Sequence, residues 1–283
     1  MRKKKILLWI IAIIITLIAV FYQKITGPTY PKKVNINFNN KNYKIKLLRS
    51  HGGKDNAKIT LNIPDKDINA TLYYRHFPSN EKYIKINFSH EVIKQKKLFG
   101  KEKNIKVLTA ELPNQPPAGK LQYYIVLDSF GNTIDILKNN PVVIRFKGAV
   151  PLWILIPHIL LMFTAMLLST LSVLYAIAKI DKFKLYAYIT FFTLFMGGII
   201  FGPIVQKYAF GELWTGVPFG WDLTDNKTLI AFIFWIIAIL FNLKRKNRTT
   251  VIIAGIVLLL IYSIPHSMYG SELNRESGKI EQG

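Results

Sequence analysis

Two histidines and one loop hold the residue types in this chain that can do chemistry. His158 follows Pro157 in the second apolar run, and His266 follows Pro265 at the end of the last one. Between them lies Gly211–Lys227, which carries Trp214, Phe219 and Trp221 and passes into Asp222 and Asp225. A histidine in a membrane helix is costly enough to mark function. Two neutral imidazoles facing each other across a helix bundle can supply both axial ligands of a haem iron. Trp214, Phe219 and Trp221 can pack a flat, partly apolar ligand, or they can anchor the loop at the membrane–water interface. Asp222 and Asp225 can meet polar edges of such a ligand, or they can cap the helix that follows. Each histidine can equally cap a helix end or meet headgroups, so both readings stand open at this point.

These residues need elements to place them, and hydropathy supplies the elements. A bilayer of about 30 Å hydrocarbon thickness asks for apolar runs near twenty residues. Five such runs are read: 6–22, 152–178, 185–205, 223–243 and 249–264, the first and last short. The basic clusters Arg2–Lys5, Lys179–Lys184 and Lys244–Arg248 fall on one side of a five-span scheme. Positive charge in short loops stays inside, so the N-terminus is expected in the cytoplasm and the C-terminus outside. The aromatic loop, His158 and His266 then share the outer side. In the third run Gly198 and Gly202 are spaced i, i+4, which lets a helix or a flat ligand approach the backbone. Pro203 is expected to kink that helix, and the regular part of the second helix can begin as late as Pro157.

Residues 27–148 are polar and lysine-rich, and they alternate with period two. Val34–Phe38, Lys44–Leu47, Lys58–Ile63, Thr71–Tyr74 and Tyr83–Phe88 do so, as do Ile105–Leu108, Leu121–Leu127 and Val142–Phe146. Short strands at this spacing, divided by Gly, Pro and Asn turns, predict a β-sandwich. The entry Leu112–Lys120 into Leu121–Tyr124 resembles that of immunoglobulin-like or fibronectin type III domains. The expected fold is therefore an α-helical membrane protein of five transmembrane helices with an inserted all-β sandwich. Its parts are an anchor over 1–26, the sandwich over 27–148, a four-helix bundle over 149–270 with an external loop at 208–226, and a tail over 271–283.

The order of a histidine in an apolar helix, a Trp-containing loop ending in Trp-Asp, and a helix ending in His-Ser is similar to the cytochrome c assembly membrane proteins. Pro157–Met162, Trp214 with Gly220–Lys227, and Ile264–Gly270 carry that resemblance, over about residues 150–270. It implies a haem-handling protein with haem b held by His158 and His266, or a b-type electron-transfer subunit in a bacterial cytoplasmic membrane, with a cytochrome or a membrane-complex subunit as partner. This chain has fewer tryptophans in the loop and fewer helices, and the family's deeper histidine pair is not apparent. The alternative from another class is a non-catalytic assembly or scaffold subunit whose sandwich docks a partner.

Other classes find little support. There is no cysteine, so disulfides, thiolate metal sites and covalent haem through Cys-x-x-Cys-His are excluded within this chain. The net charge of +22 is spread over the polar block and the short loops, not gathered into a stripe, which argues against nucleic acid. His51, His76 and His90 lack metal-ligand spacing, and no Ser-His-Asp order marks a hydrolase.

Overall fold

The computed structural model describes residues 2–95, 103–265 and 271–282. It divides into two compact units, one of residues 1–28 with 149–283 and one of residues 29–148.

The described residues of the first unit are mainly helical, with one small hairpin. Its helices are α1 (Arg2–Thr26), α2 (Leu152–Ile177), α3 (Phe183–Leu194), α4 (Gly202–Phe210), α5 (Leu223–Lys244) and α6 (Arg248–Ser263). A π-helical segment, Phe195–Phe201, joins α3 to α4 without a break. Among the described residues, α1, α2, the continuous Phe183–Phe210 and α5 are long and apolar enough to cross a membrane, whereas α6 has 16 residues. Five helices of spanning length were expected, and four are present. The outward faces are apolar: Leu17, Ile18 and Phe21 on α1, and Trp153 and Leu160 on α2, are all exposed. Such a surface suits lipid and not water.

Inside the bundle small residues meet large rings. Ala165, Ala187, Ala231, Ala238 and Ala254 are buried together with Tyr175, Phe183 and Trp235. Lipid tails are as apolar as leucine, so close approach through small residues is what draws membrane helices together. The α2–α3 and α5–α6 turns meet at one end, where Asp181 pairs with Lys246 at 2.8 Å and Arg248 at 3.3 Å. The Lys246 ammonium holds the Asp181 carboxyl below the usual carboxylate range, with Arg248 contributing.

Helix α2 starts at Leu152, where its apolar run begins, because the carbonyl of Pro151 accepts the amides of Ile154 and Leu155 and closes a first turn before Pro157. His158 consequently sits in the second turn. Pro203 stands in the first turn of α4, directly after the π segment. Residues 271–282 are not a plain tail but an antiparallel hairpin of Ser271–Leu273 with Ile280–Gln282.

Among its described residues the second unit holds eleven strands. They are β1 (Lys32–Phe38), β2 (Lys41–Leu47), β3 (Ser50–Gly52), β4 (Ala57–Leu61), β5 (Asn69–His76), β6 (Ile84–Asn87), β7 (Ser89–Gln95), β8 (Lys103–Leu112), β9 (Lys120–Ser129), β10 (Asn132–Ile136) and β11 (Val142–Lys147). β1 and β2 form a hairpin, β4-β8-β7 a three-stranded sheet, and β3-β11-β9-β5-β6 the largest sheet, with β10 also on β9. Alternation sets the register: in β2 Tyr43, Ile45 and Leu47 are buried while Lys44 and Lys46 are exposed. Ile36 and Leu47 of the hairpin, Ile59 and Leu108 of the second sheet, and Leu72, Ile125 and Ile144 of the third belong to one apolar core.

Candidate functional site

The site is assembled around the loop between α4 and α5. Gly211 closes α4 in the left-handed conformation at φ +96°, its N–H bonding the Lys207 carbonyl at 2.9 Å. The chain then folds back onto the first turn of α5. Gly216 and Gly220 allow this, since a Cβ would stand 2.7 Å from that of Asp225 at the first and 2.4 Å from the Thr215 carbonyl at the second.

Asp222 is the N-cap of α5: its Oδ1 accepts from the amides of Thr224 at 2.8 Å and Asp225 at 3.2 Å. Asp225, buried in the first turn, does something a cap does not. Its Oδ2 accepts from Thr215 N at 2.6 Å, Gly216 N at 3.1 Å, Thr215 Oγ1 at 3.2 Å and Gln206 Nε2 at 3.0 Å. One carboxylate oxygen thus ties α4, the loop and α5 together. Asn226 Oδ1 adds a bond from Val217 N at 2.7 Å. Lys227, also buried, donates to the carbonyls of Ile264 at 3.1 Å and Pro265 at 3.3 Å. Those are carbonyls at the C-terminal end of α6, which lack helical donors.

His158 reaches the same region from α2. Its Nδ1 donates to the Gly197 carbonyl at 2.9 Å, an oxygen that also accepts the Gly202 amide across the π turn. The neutral ring is then fixed as the Nδ1–H tautomer, and Nε2 keeps its lone pair. A backbone carbonyl holding one ring nitrogen is the usual way in which a ligating imidazole is oriented.

Between these groups lies a cavity of about 330 Å³. His158, Gly198, Gly202, Asp222 and Asp225 of the sequence expectation all line it. The two glycines differ in what they do. A Cβ on Gly198 would strike Thr228 Cγ2 at 2.8 Å, so that position is closed by helix packing. One on Gly202 would meet only the Gly197 carbonyl at 3.6 Å and His158 Cε1 at 3.8 Å.

The aromatic residues of the loop are not in the cavity wall. Trp214 spends its indole N–H on the Val217 carbonyl at 3.1 Å. Phe219 is 82% exposed and Trp221 73% exposed, as suits rings that rest in the membrane interface. His266, the second expected iron ligand, lies outside the described residues. Among the described residues, no three or more His, Asp or Glu gather as a metal site.

Sequence reasoning missed Gln206, Lys227, Tyr262 and Ser271, all of which line the cavity. Gln206 and Lys227 did carry a signal, being polar residues inside apolar helices. The π segment, which presents the Gly197 carbonyl to His158, has no comparable mark in the sequence. No protein-family model, no curated protein and no solved structure matches the chain.

Proposed function

We propose that this chain is an integral membrane binding protein that holds a small amphipathic molecule in the cavity beside His158. The observation that carries the reading is the oriented imidazole: Nδ1 is held by a backbone carbonyl, and Nε2 keeps its lone pair on a ring that lines the cavity. The wall is apolar at Ile159, Met162, Phe163 and Val205 and polar toward the N-terminus of α5. At about 330 Å³ the space is at the small end of the roughly 300–1,000 Å³ typical of ligand clefts.

Haem b, which the resemblance implies, fits at one point only. His158 could give one axial bond, but Gly198 is filled by Thr228, Phe219 and Trp221 lie exposed, and the volume is small for a tetrapyrrole. We therefore place a smaller molecule in the cavity and route no step through haem.

Organic extraction of the full chain, purified in mild detergent, tests this. The extract should contain a small molecule in near-stoichiometric amount, and Gly202→Leu should lose it, because the new side chain would enter the cavity. A Soret band that sharpens with dithionite would restore the haem reading. An empty extract, with the variant unchanged, would favour the scaffold reading, in which the β unit docks a partner subunit.

The finer architecture belongs to the same proposal. We take α6 as a fifth, short span and the three sheets of the second unit as a sandwich, since one core draws on all three. Asp181 brings together the two basic turns, which supports placing both with Arg2–Lys5 on the cytoplasmic side of a bacterial membrane, and the loop, the β unit and the C-terminus outside. Reporter fusions after Lys246 should behave as cytoplasmic and those after Gly283 as external; the reverse pattern would overturn the orientation.

A further inference from the structure

The end of the first unit away from the cavity gathers charge of one sign. Helices α2 and α5 reach the cavity through His158 and Asp225, near their starts, and end at the two basic turns. The α2–α3 turn carries Lys179, Lys182 and Lys184, and the α5–α6 turn carries Lys244–Lys246 and Arg248. Asp181, bonded to Lys246 and Arg248, draws the turns together and is the one acid within 179–184 and 244–248. The turns stand side by side, since Lys184 Nζ donates to the Leu243 carbonyl at 3.4 Å. A third basic segment joins them. In α1 the Trp9 ring meets that of Tyr186, in the first turn of α3, at 5.8 Å, whereas Gln23 lines the cavity. The helix therefore runs from the turns toward the cavity, and Arg2–Lys5 lie beyond Trp9 on the turn side.

One carboxylate does not balance so many cations. Among the described residues Lys179, Lys182, Lys244 and Arg245 pair with no acid, and all four are exposed. Like charges gathered in one place repel, and an anion held among them removes that cost. Basic loops also fix topology, but that role asks only for charge in each loop, not for three segments drawn to one end around a single acid.

Just inside the turns the surface changes to hydrocarbon. Ile177 ends α2, Leu185 stands in the first turn of α3, and Phe241 and Leu243 stand in the last turn of α5. Each is more than half exposed. These helices are of spanning length, so this apolar band meets acyl chains and the cations stand at headgroup depth. The two layers select the partner. A soluble anion meets the cations and leaves the band unused, and a zwitterionic lipid covers the band but brings its own cation to the lysines. An anionic phospholipid satisfies both layers.

We infer that this end of the bundle is a binding surface for anionic phospholipid, its phosphate drawn to the exposed cations of the two turns and its chains lying along the apolar band. Neither the contents of the cavity nor the side of the membrane that the turns face bears on it.

The test is native mass spectrometry of the detergent-purified full chain, titrated in turn with dioleoyl phosphatidylglycerol, dioleoyl phosphatidylcholine and glycerol phosphate. Phosphatidylglycerol should bind about fivefold more tightly than phosphatidylcholine, the worth of one cation beside an anionic headgroup. Lys182→Gln with Arg245→Gln should lose most of that preference, whereas Lys182→Arg with Arg245→Lys should keep it. Both pairs leave Asp181, Lys246 and Arg248 in place. Equal binding of the two lipids by the unaltered chain would overturn the inference. A preference that the glutamine pair leaves whole, or that the charge-keeping pair also loses, would do the same. Glycerol phosphate binding as tightly as phosphatidylglycerol would assign the surface to soluble anions instead. Equal binding of the lipids, with an acidic protein that co-purifies and is lost in the glutamine pair, would assign it to that protein.

Discussion

Asp225→Leu is expected to release the whole α4–α5 loop and to lower the unfolding temperature of the detergent-solubilised protein by about 10 °C. Four donors converge on Asp225 Oδ2, two of them the backbone amides of Thr215 and Gly216. Bonds to a charged group are worth about 1.5–3 kcal/mol each, but they share one atom and do not add. A net loss of about 4 kcal/mol is reasonable for a buried network broken at its hub. At roughly 2–4 °C per kcal/mol for a unit of this size, that gives the stated shift. Asp225→Asn should fall between, since its carbonyl oxygen can still accept from the two amides while the charge is gone. Limited proteolysis supplies the local readout: cleavage between Gly211 and Trp221 should quicken in Asp225→Leu before the rest of the chain is attacked. An Asp225→Leu protein with an uncut loop and unchanged unfolding would show that the carboxylate holds nothing.

The same residue shows how far the sequence could be read. Asp225 stands where a first-turn acid favours the helix dipole, and that local role hid the long-range one. Its partners Thr215, Gly216 and Gln206 come from a loop turn and a neighbouring helix, and no period or propensity brings them together. Asp222 was legible because capping is local: its donors lie two and three residues on. The strands follow a similar division. β2 and β9 alternate or run apolar because one or both of their faces are buried, so their pattern is visible. β3 has no apolar residue at all, and only its parallel pairing with Arg145–Lys147 makes it a strand. The aromatic loop was legible as interfacial and not as a cavity wall, because ring type alone does not say which way Phe219 and Trp221 face. Gly198 and Gly202, alike in sequence, became a packing contact and an open cavity edge because the π segment between Phe195 and Phe201 rotates successive residues differently from an α-helix.

The second large effect is expected at Gly255, where α6 meets α2. A Cβ there would lie 2.2 Å from Val173 Cγ2 and 3.3 Å from Ser169 Oγ. Even alanine forces Val173 to move, and a β-branched side chain on a helix has one favoured rotamer and little freedom to do so. Gly255→Ala should therefore cost about 1–3 kcal/mol by overpacking. Gly255→Leu cannot be absorbed by one side chain, and the helices must part. The consequence is greater in a membrane than in water, because no hydrophobic force presses separated helices back together. It is greatest for α6, whose 16 residues reach about 24 Å and so fall short of the roughly 30 Å core. Its position depends on its contacts with α2 and α5, and the Lys227 bonds at its C-terminal end depend on that position. Gly255→Leu should accordingly lose folded protein on extraction and loosen the cavity that Ile261 and Tyr262 of α6 help to line. The double variant Gly255→Ala with Val173→Ala separates the causes. If the clash with Val173 is the fault, removing that side chain should recover most of the loss of Gly255→Ala, as a coupling energy of about 1 kcal/mol or more. Simple additivity of the two changes would mean that α6 and α2 are not packed through this pair.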